Sequence, residues 1–177
     1  MYPPGLSGLR AAYVYEGLLR SCIRALKYDG NQRLAGPLGA LLATAYRDFD
    51  LRADMIVPVP LHSERQQQRG FNHAGLLAEV CAALVGVPLR DDVLMRERAT
   101  AAQADLTTRE RRRQNVAGAF RCLPAWSAGK LYGYSILLID DVCTTGSTLE
   151  ECAVPLFAAG AASVWALVLA RPIHNEV

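Results

Sequence analysis

The residues best suited to chemistry lie between 140 and 148. Two adjacent carboxylates, Asp140 and Asp141, precede a run of small residues, Thr144-Thr145-Gly146-Ser147-Thr148. Glycine lets the backbone approach a ligand closely. Amides of such a turn, and of a helix beginning after it, carry partial positive charge outward and hold phosphate. The hydroxyls of Thr144, Thr145, Ser147 and Thr148 add donors without bulk. Carboxylates beside a phosphate cradle suit a sugar phosphate, because they accept hydrogen bonds from ribose hydroxyls while the amides take the phosphate. Arginines gather in two further stretches, Arg65 and Arg69, then Arg96, Arg98, Arg109 and Arg113. The run from Arg96 to Arg113 would ordinarily be a solvated helix face, but a phosphate-rich ligand gives its arginines a second use.

These residues need elements to position them. Ile136 to Ile139 is an unbroken apolar run, expected as a strand buried on both faces of a parallel sheet and ending at the acids. Ser147 followed by Glu150 reads as a capping box opening the next helix, and Thr148 with Glu151 repeats the signal. Leu149, Cys152, Ala153, Leu156 and Phe157 form its apolar face; Pro155 inside it is expected to kink or shorten it, and Gly160 to end it. Met55 to His62 reads as a second buried strand running into a loop, with the Val57–Pro58 and Val59–Pro60 bonds as candidates for the cis form. Asn72 is the expected N-cap of a helix carrying Leu76, Leu77, Val80, Cys81 and Leu84.

Near the start, Tyr13-Val14-Tyr15 suggests a short strand. Leu18, Leu19, Cys22, Ile23 and Leu26 have helical spacing, and Lys27 beside them reads as a snorkelling surface lysine. A second helix follows with Leu34, Leu38, Leu41, Leu42, Ala45, Tyr46 and Phe49 on one face. Short strands are expected at Val93–Met95 and Ala119–Arg121, and a helix from Thr107 or Thr108 onward. Ser163 to Ala170 is the last buried strand. Strands alternating with helices imply an α/β fold, a mostly parallel central sheet flanked by helices. Ligands in such sheets sit at the strands' carboxyl ends, where the acids, His62 and Arg171 are expected to face one cleft.

The chain has 177 residues, enough for one domain with a good core. It is 51% hydrophobic and 20% charged, a globular composition, and its net charge of +2 argues neither for nor against a nucleic-acid partner. No apolar run approaches membrane-spanning length, and Met-Tyr-Pro-Pro-Gly lacks the regions of a signal peptide, so a soluble cytoplasmic protein is expected. The five cysteines (Cys22, Cys81, Cys122, Cys143, Cys152) show neither zinc nor disulfide spacing. A nucleophilic role for Cys143 would need a base partner that the sequence does not display.

Leu-Leu-Ile-Asp-Asp-Val-Cys-Thr-Thr-Gly-Ser-Thr, ending at Thr148, resembles the phosphoribosyl pyrophosphate (PRPP) motif of the type I phosphoribosyltransferases. A response-regulator receiver domain also places an acidic pair beside a strand, but near its N-terminus and without the Thr-Thr-Gly-Ser-Thr turn. Beyond the motif, the chain from about Tyr13 to Arg171 resembles the ComF family. The matching stretches are Leu26-Lys27-Tyr28, Ile56 to His62, Arg69-Gly70-Phe71-Asn72, Thr100, Gln103, Leu106, Arg109, Arg113 and Asn115, Ala119-Phe120, and Leu137 to Thr148. Many members carry an N-terminal zinc ribbon of four cysteines; here Cys22 stands alone before residue 80, which puts any role of that ribbon in doubt.

The resemblance implies a single phosphoribosyltransferase-like domain over 1–177, with a hood over 1–54, a core over 55–177 and an arginine-rich flap. It implies PRPP as ligand and magnesium as cofactor, with transfer or release of the phosphoribosyl group and loss of pyrophosphate. Thr144 to Thr148 would take the 5-phosphate, and Asp140 and Asp141 the ribose hydroxyls, directly or through magnesium. The backbone of Val59, Pro60, Leu61 and His62 would take pyrophosphate, helped by a cis bond, with Arg65 and Arg69 and the flap residues Arg96, Arg98, Arg109 and Arg113. The family's association with DNA uptake in competence implies an alternative: a non-catalytic nucleotide-binding module that binds single-stranded DNA or competence proteins.

Overall fold

The computed structural model describes residues 5–98 and 116–173. Arg109, Arg113 and the helix expected from Thr107 or Thr108 lie outside the described residues. The main sheet holds β1 (Gly8–Val14), β2 (Met55–Pro58), β5 (Ser135–Val142) and β6 (Ser163–Arg171), all parallel, in the order β1-β6-β5-β2. β3 (Leu94–Arg96) and β4 (Phe120–Cys122) form a separate antiparallel pair. The α-helices among the described residues are α1 (Gly17–Tyr28), α2 (Ala35–Asp48), α3 (Ser63–Arg69), α4 (His73–Val85) and α5 (Ser147–Ala158).

The central strands are continuous apolar runs because both faces are covered. Ile136 and Leu138 of β5 share a core with Leu149, Cys152 and Leu156 of α5 and with Leu94 and Phe120 of the small pair. Leu137 and Ile139 face the other way, onto Ile23 and Leu26 of α1, Leu42 of α2 and Leu77 and Cys81 of α4. Gly39 lets α2 close on α4, since a Cβ there would stand 2.6 Å from Val80 Cβ. The helices after β1 and β2 thus cover one face and α5 after β5 the other. The carboxyl ends of β2 and β5 therefore flank a topological switch, where a crevice opens in such sheets.

Several expectations change. The first strand begins at Gly8 and pairs with β6 from Gly8↔Trp165 to Val14↔Arg171, well beyond Tyr13–Tyr15. Arg65 to Arg69, given no element by the sequence pattern, lies in the helix α3, closed by Gly70 at φ 79°. The capping box does not form: Gly146, at φ 88°, is the N-cap of α5, and Ser147 is already helical. Pro155 neither ends nor shortens the helix, which runs on to Ala158. Among the described residues every peptide bond is trans, Val57–Pro58 and Val59–Pro60 included. No helix among them is long and apolar enough to cross a membrane.

Candidate functional site

β5 does not stop before its acids. It pairs with β6 through Asp140↔Val168 and Val142↔Ala170, and the next amide, Cys143 N–H, still donates to Ala170 O at 3.1 Å. Strand alternation therefore turns the neighbouring carboxylates to opposite faces, Asp140 with Leu138 toward α5 and Asp141 with Ile139 toward α1 and α4. Each also accepts the following amide: Asp141 N–H donates to Asp140 Oδ1 at 2.9 Å, and Val142 N–H to Asp141 Oδ1 at 2.6 Å.

Asp141 is 2% exposed and already has a cation. Lys27 Nζ of α1 stands 2.6 Å from Asp141 Oδ2, its side chain 21% exposed, so Lys27 is a site residue and not a snorkelling surface lysine. His73, the first residue of α4, places Nε2 3.4 Å from the same oxygen. Arg69 Nη1 lies 3.3 Å from His73 Nδ1. A guanidinium can only donate, so Nδ1 accepts and the imidazole proton sits on Nε2, facing Asp141.

The charges follow from this arrangement. Burial would raise the Asp141 carboxyl, but Lys27 and then His73 outweigh it, and the carboxyl is held below its ordinary value. Burial would lower Lys27, yet Asp141 and Asp140 leave its pKa raised. His73 falls to about 4, chiefly by burial, so the imidazole is neutral at pH 7 and the ion pair is Lys27–Asp141. Burial, and next the charge of Asp141, pushes Asp140 up to about 7. Burial likewise lifts the Cys143 thiol to about 11, which leaves it a poor nucleophile at neutral pH.

A cleft of about 510 Å³ opens over this end of the sheet. From the sequence-derived set it brings together Asp140, Asp141, Thr144, Gly146, Thr148, Val59, Pro60, Leu61, Arg65, Arg69 and Arg96. Thr145 and Ser147 do not line it; their hydroxyls meet each other at 3.0 Å. His62 caps α3 instead, its ring accepting from Glu64 N–H at 3.4 Å, and Arg98 donates to Ala117 O at 2.6 Å. Arg171 is not among the lining residues, and its carbonyl accepts from Tyr15 N–H at 2.9 Å.

The loop after β2 offers fewer amides than its sequence promises. Val59 N–H is spent on Ile139 O at 2.9 Å, and Pro60 has no N–H. Sequence reasoning missed Arg20, Arg24, Lys27, Tyr28 and His73 as lining residues. The signal for Lys27 and Tyr28 was the family-like Leu26-Lys27-Tyr28 triplet; His73 follows its N-cap Asn72, whose side chain accepts from Ala74 N–H at 3.1 Å.

His73, Asp140 and Asp141 bring one ligand-type atom each within 4.8 Å of one another. They do not fit a resident divalent ion: an ammonium already stands against Asp141, and a guanidinium stands beside His73.

No protein-family model matches the chain. It is 36% identical over 177 residues to the DNA utilization protein YhgH of Salmonella typhimurium, covering 97% of this chain and 75% of that protein. It is 32% identical over 154 residues to competence protein F of Haemophilus influenzae, covering 84% and 66%. Among solved structures it is similar to a Bacillus subtilis glutamine PRPP amidotransferase complexed with ADP and GMP. That match has a TM-score of 0.50 and 17% identity, over 76% of this chain and 26% of that one. The sheet order, the switch-point cleft and these relatives agree: the chain has the type I phosphoribosyltransferase fold and belongs to the ComF family.

Proposed function

We infer that the protein binds PRPP and transfers or releases its phosphoribosyl group with loss of pyrophosphate. One observation carries this reading. The N-terminus of α5, reached through the left-handed Gly146 turn, opens with Thr144 and Thr148 into a cleft that also holds Arg65, Arg69 and Arg96. Amides at a helix N-terminus take a 5-phosphate, and guanidinium forks take a pyrophosphate. Asp140 accepts from a ribose hydroxyl. Asp141 acts at one remove, fixing Lys27 and, through His73, Arg69 at the cleft wall.

In the reaction an acceptor nucleophile bonds to the anomeric carbon as the bond to pyrophosphate breaks, and the electron pair leaves with pyrophosphate. Charge grows on the leaving group, and Arg65 and Arg69 are pre-set to meet it. Magnesium, entering with the ligand's own phosphate oxygens, would supply further charge neutralisation there. Calorimetry with PRPP and magnesium tests the site. At pH 8, where the Asp140 carboxyl is ionised, Asp140→Asn is expected to weaken binding at least tenfold, because a charged acceptor is lost. An unchanged affinity overturns the assignment. Asp140 alone is the right target, since replacing Asp141 would also strand Lys27.

A second reading has support of its own. The Val59 amide is spent and Pro60 has none, so the leaving-group loop is poor in donors, and the relatives' names concern DNA utilization and competence. A non-catalytic nucleotide-binding module that also binds single-stranded DNA or a competence protein would need no more. Incubation with PRPP, magnesium and a panel of bases and amines separates the two. Pyrophosphate release supports the enzyme; binding without release, with DNA affinity falling steeply as salt rises, supports the module.

A further inference from the structure

We propose that α1 builds a second anion site in the cleft, one that receives the carboxylate or phosphate of the acceptor molecule. The inference rests on the PRPP reading above and names the class of the second substrate.

The cleft has three cationic or donor walls on different elements. The first is the N-terminus of α5 with Thr144 and Thr148. The second is α3 with Arg65 and Arg69, joined by Arg96 at the end of β3. The third is α1, which contributes Arg20, Arg24 and Lys27. PRPP carries phosphate at two positions, a 5-phosphate and a pyrophosphate, and the first two walls account for both. The third remains, and it belongs to the opposite face of β5 from α5, so one ligand group on each side would span the crevice.

Arg20, Arg24 and Lys27 sit at i, i+4 and i+7, one face of the helix. Lys27 is committed to Asp141. α1 contains no acidic residue, and among the described residues neither Arg20 nor Arg24 forms an ion pair with a carboxylate. Like charges four apart repel on an isolated helix, so the stability of α1 does not account for the pair.

Both guanidiniums nonetheless have a seat. Arg20 lies over the Tyr15 ring at 5.9 Å and Arg24 over the Tyr28 ring at 5.6 Å, with Arg69 also 5.3 Å from Tyr28. Aromatic seats restrain the cations without neutralising them. That is the arrangement of an anion receptor, and both tyrosines line the same cleft.

The probes are nicotinate against nicotinamide for the carboxylate, and phenyl phosphate against phenol for the phosphate. Each is titrated calorimetrically into the full chain, with and without saturating PRPP and magnesium, at physiological salt. With PRPP bound, at least one charged probe is expected to bind about tenfold tighter than its neutral partner. Arg20→Gln with Arg24→Gln should erase that preference, leave helical circular dichroism unchanged and alter PRPP affinity by less than about threefold, since screening limits the reach of the lost charges. Equal binding within both probe pairs overturns the proposal. So does a preference that survives in the double variant, or a PRPP affinity that falls in step with the probe. If PRPP fails to bind the wild-type protein, the functional reading falls by itself, and the ligand-free titration decides α1 alone. A preference lost in the variant upholds the anion site, and no preference ends it.

Discussion

Asp140 and Asp141 are neighbours of one residue type at the end of one strand, yet their surroundings drive them apart. Asp141 faces α1 and α4, where Lys27 keeps it ionised and holds its carboxyl below the ordinary range. Asp140 faces α5, where burial and the charge next door lift it to about 7. The cause is strand alternation: residues a position apart point to opposite faces and meet different elements. A pair of acids in sequence is thus one charge committed to holding the cleft wall and one poised to take or release a proton near neutrality.

The largest expected effect comes from breaking the committed side. Lys27→Met leaves a buried carboxylate without its cation and should cost about 3 kcal/mol in urea unfolding. Adding Asp141→Leu should recover most of that loss, since removing both partners leaves no stranded charge. A Lys27→Met protein as stable as wild type would make the two acids equivalent after all.

A second test uses pH. Asp140 has a raised folded pKa, so its contribution is fully present below the ordinary carboxyl value and is lost as pH rises to about 7. His73 has a depressed one, so its contribution is present above about 6.5 and is lost as pH falls through about 4. Over the window they share the slopes oppose, and their sum is nearly flat. Asp140→Asn should expose a stability that climbs with pH between 4 and 6.5, and His73→Gln one that declines from about 4 to 7, each by up to about 1.4 kcal/mol per pH unit. Parallel profiles for both variants would remove the distinction between the two faces.

The smallest effect is at His62. Its ring caps α3 through Glu64 N–H and is not among the residues lining the cleft, so His62→Ala should cost about 0.5–1 kcal/mol of stability and leave PRPP affinity unchanged. A large loss of affinity would return His62 to the leaving-group loop.

Much of this was legible in the residues. The run Ile136–Ile139, the acids, the glycine turn and the apolar face of α5 are local patterns, and local patterns survive translation into structure. What was hidden depends on partners remote in sequence. Lys27 beside the apolar stripe of α1 reads as solvated until β5 places Asp141 against it. Ser147 and Glu150 match a capping box, but the αL turn at Gly146 puts the helix boundary one residue earlier. The prolines at and just after the end of β2 suggested a cis bond presenting amides, whereas the chain continues in trans and spends the Val59 amide on Ile139 O. The short helix α3 carries no apolar periodicity and has no buried residue, so nothing in its pattern announces it.

The pairing of β1 with β6 ties the first described strand to the last. Ser7 Oγ accepts from Val164 N–H across 157 residues, and β6 is the one sheet neighbour of β1 among the described residues. Contacts so distant in sequence slow folding, because loop-closure entropy is lost before they form. α1 follows directly on β1, so the seat of Lys27 at the cleft wall depends on a strand pairing that spans most of the described chain.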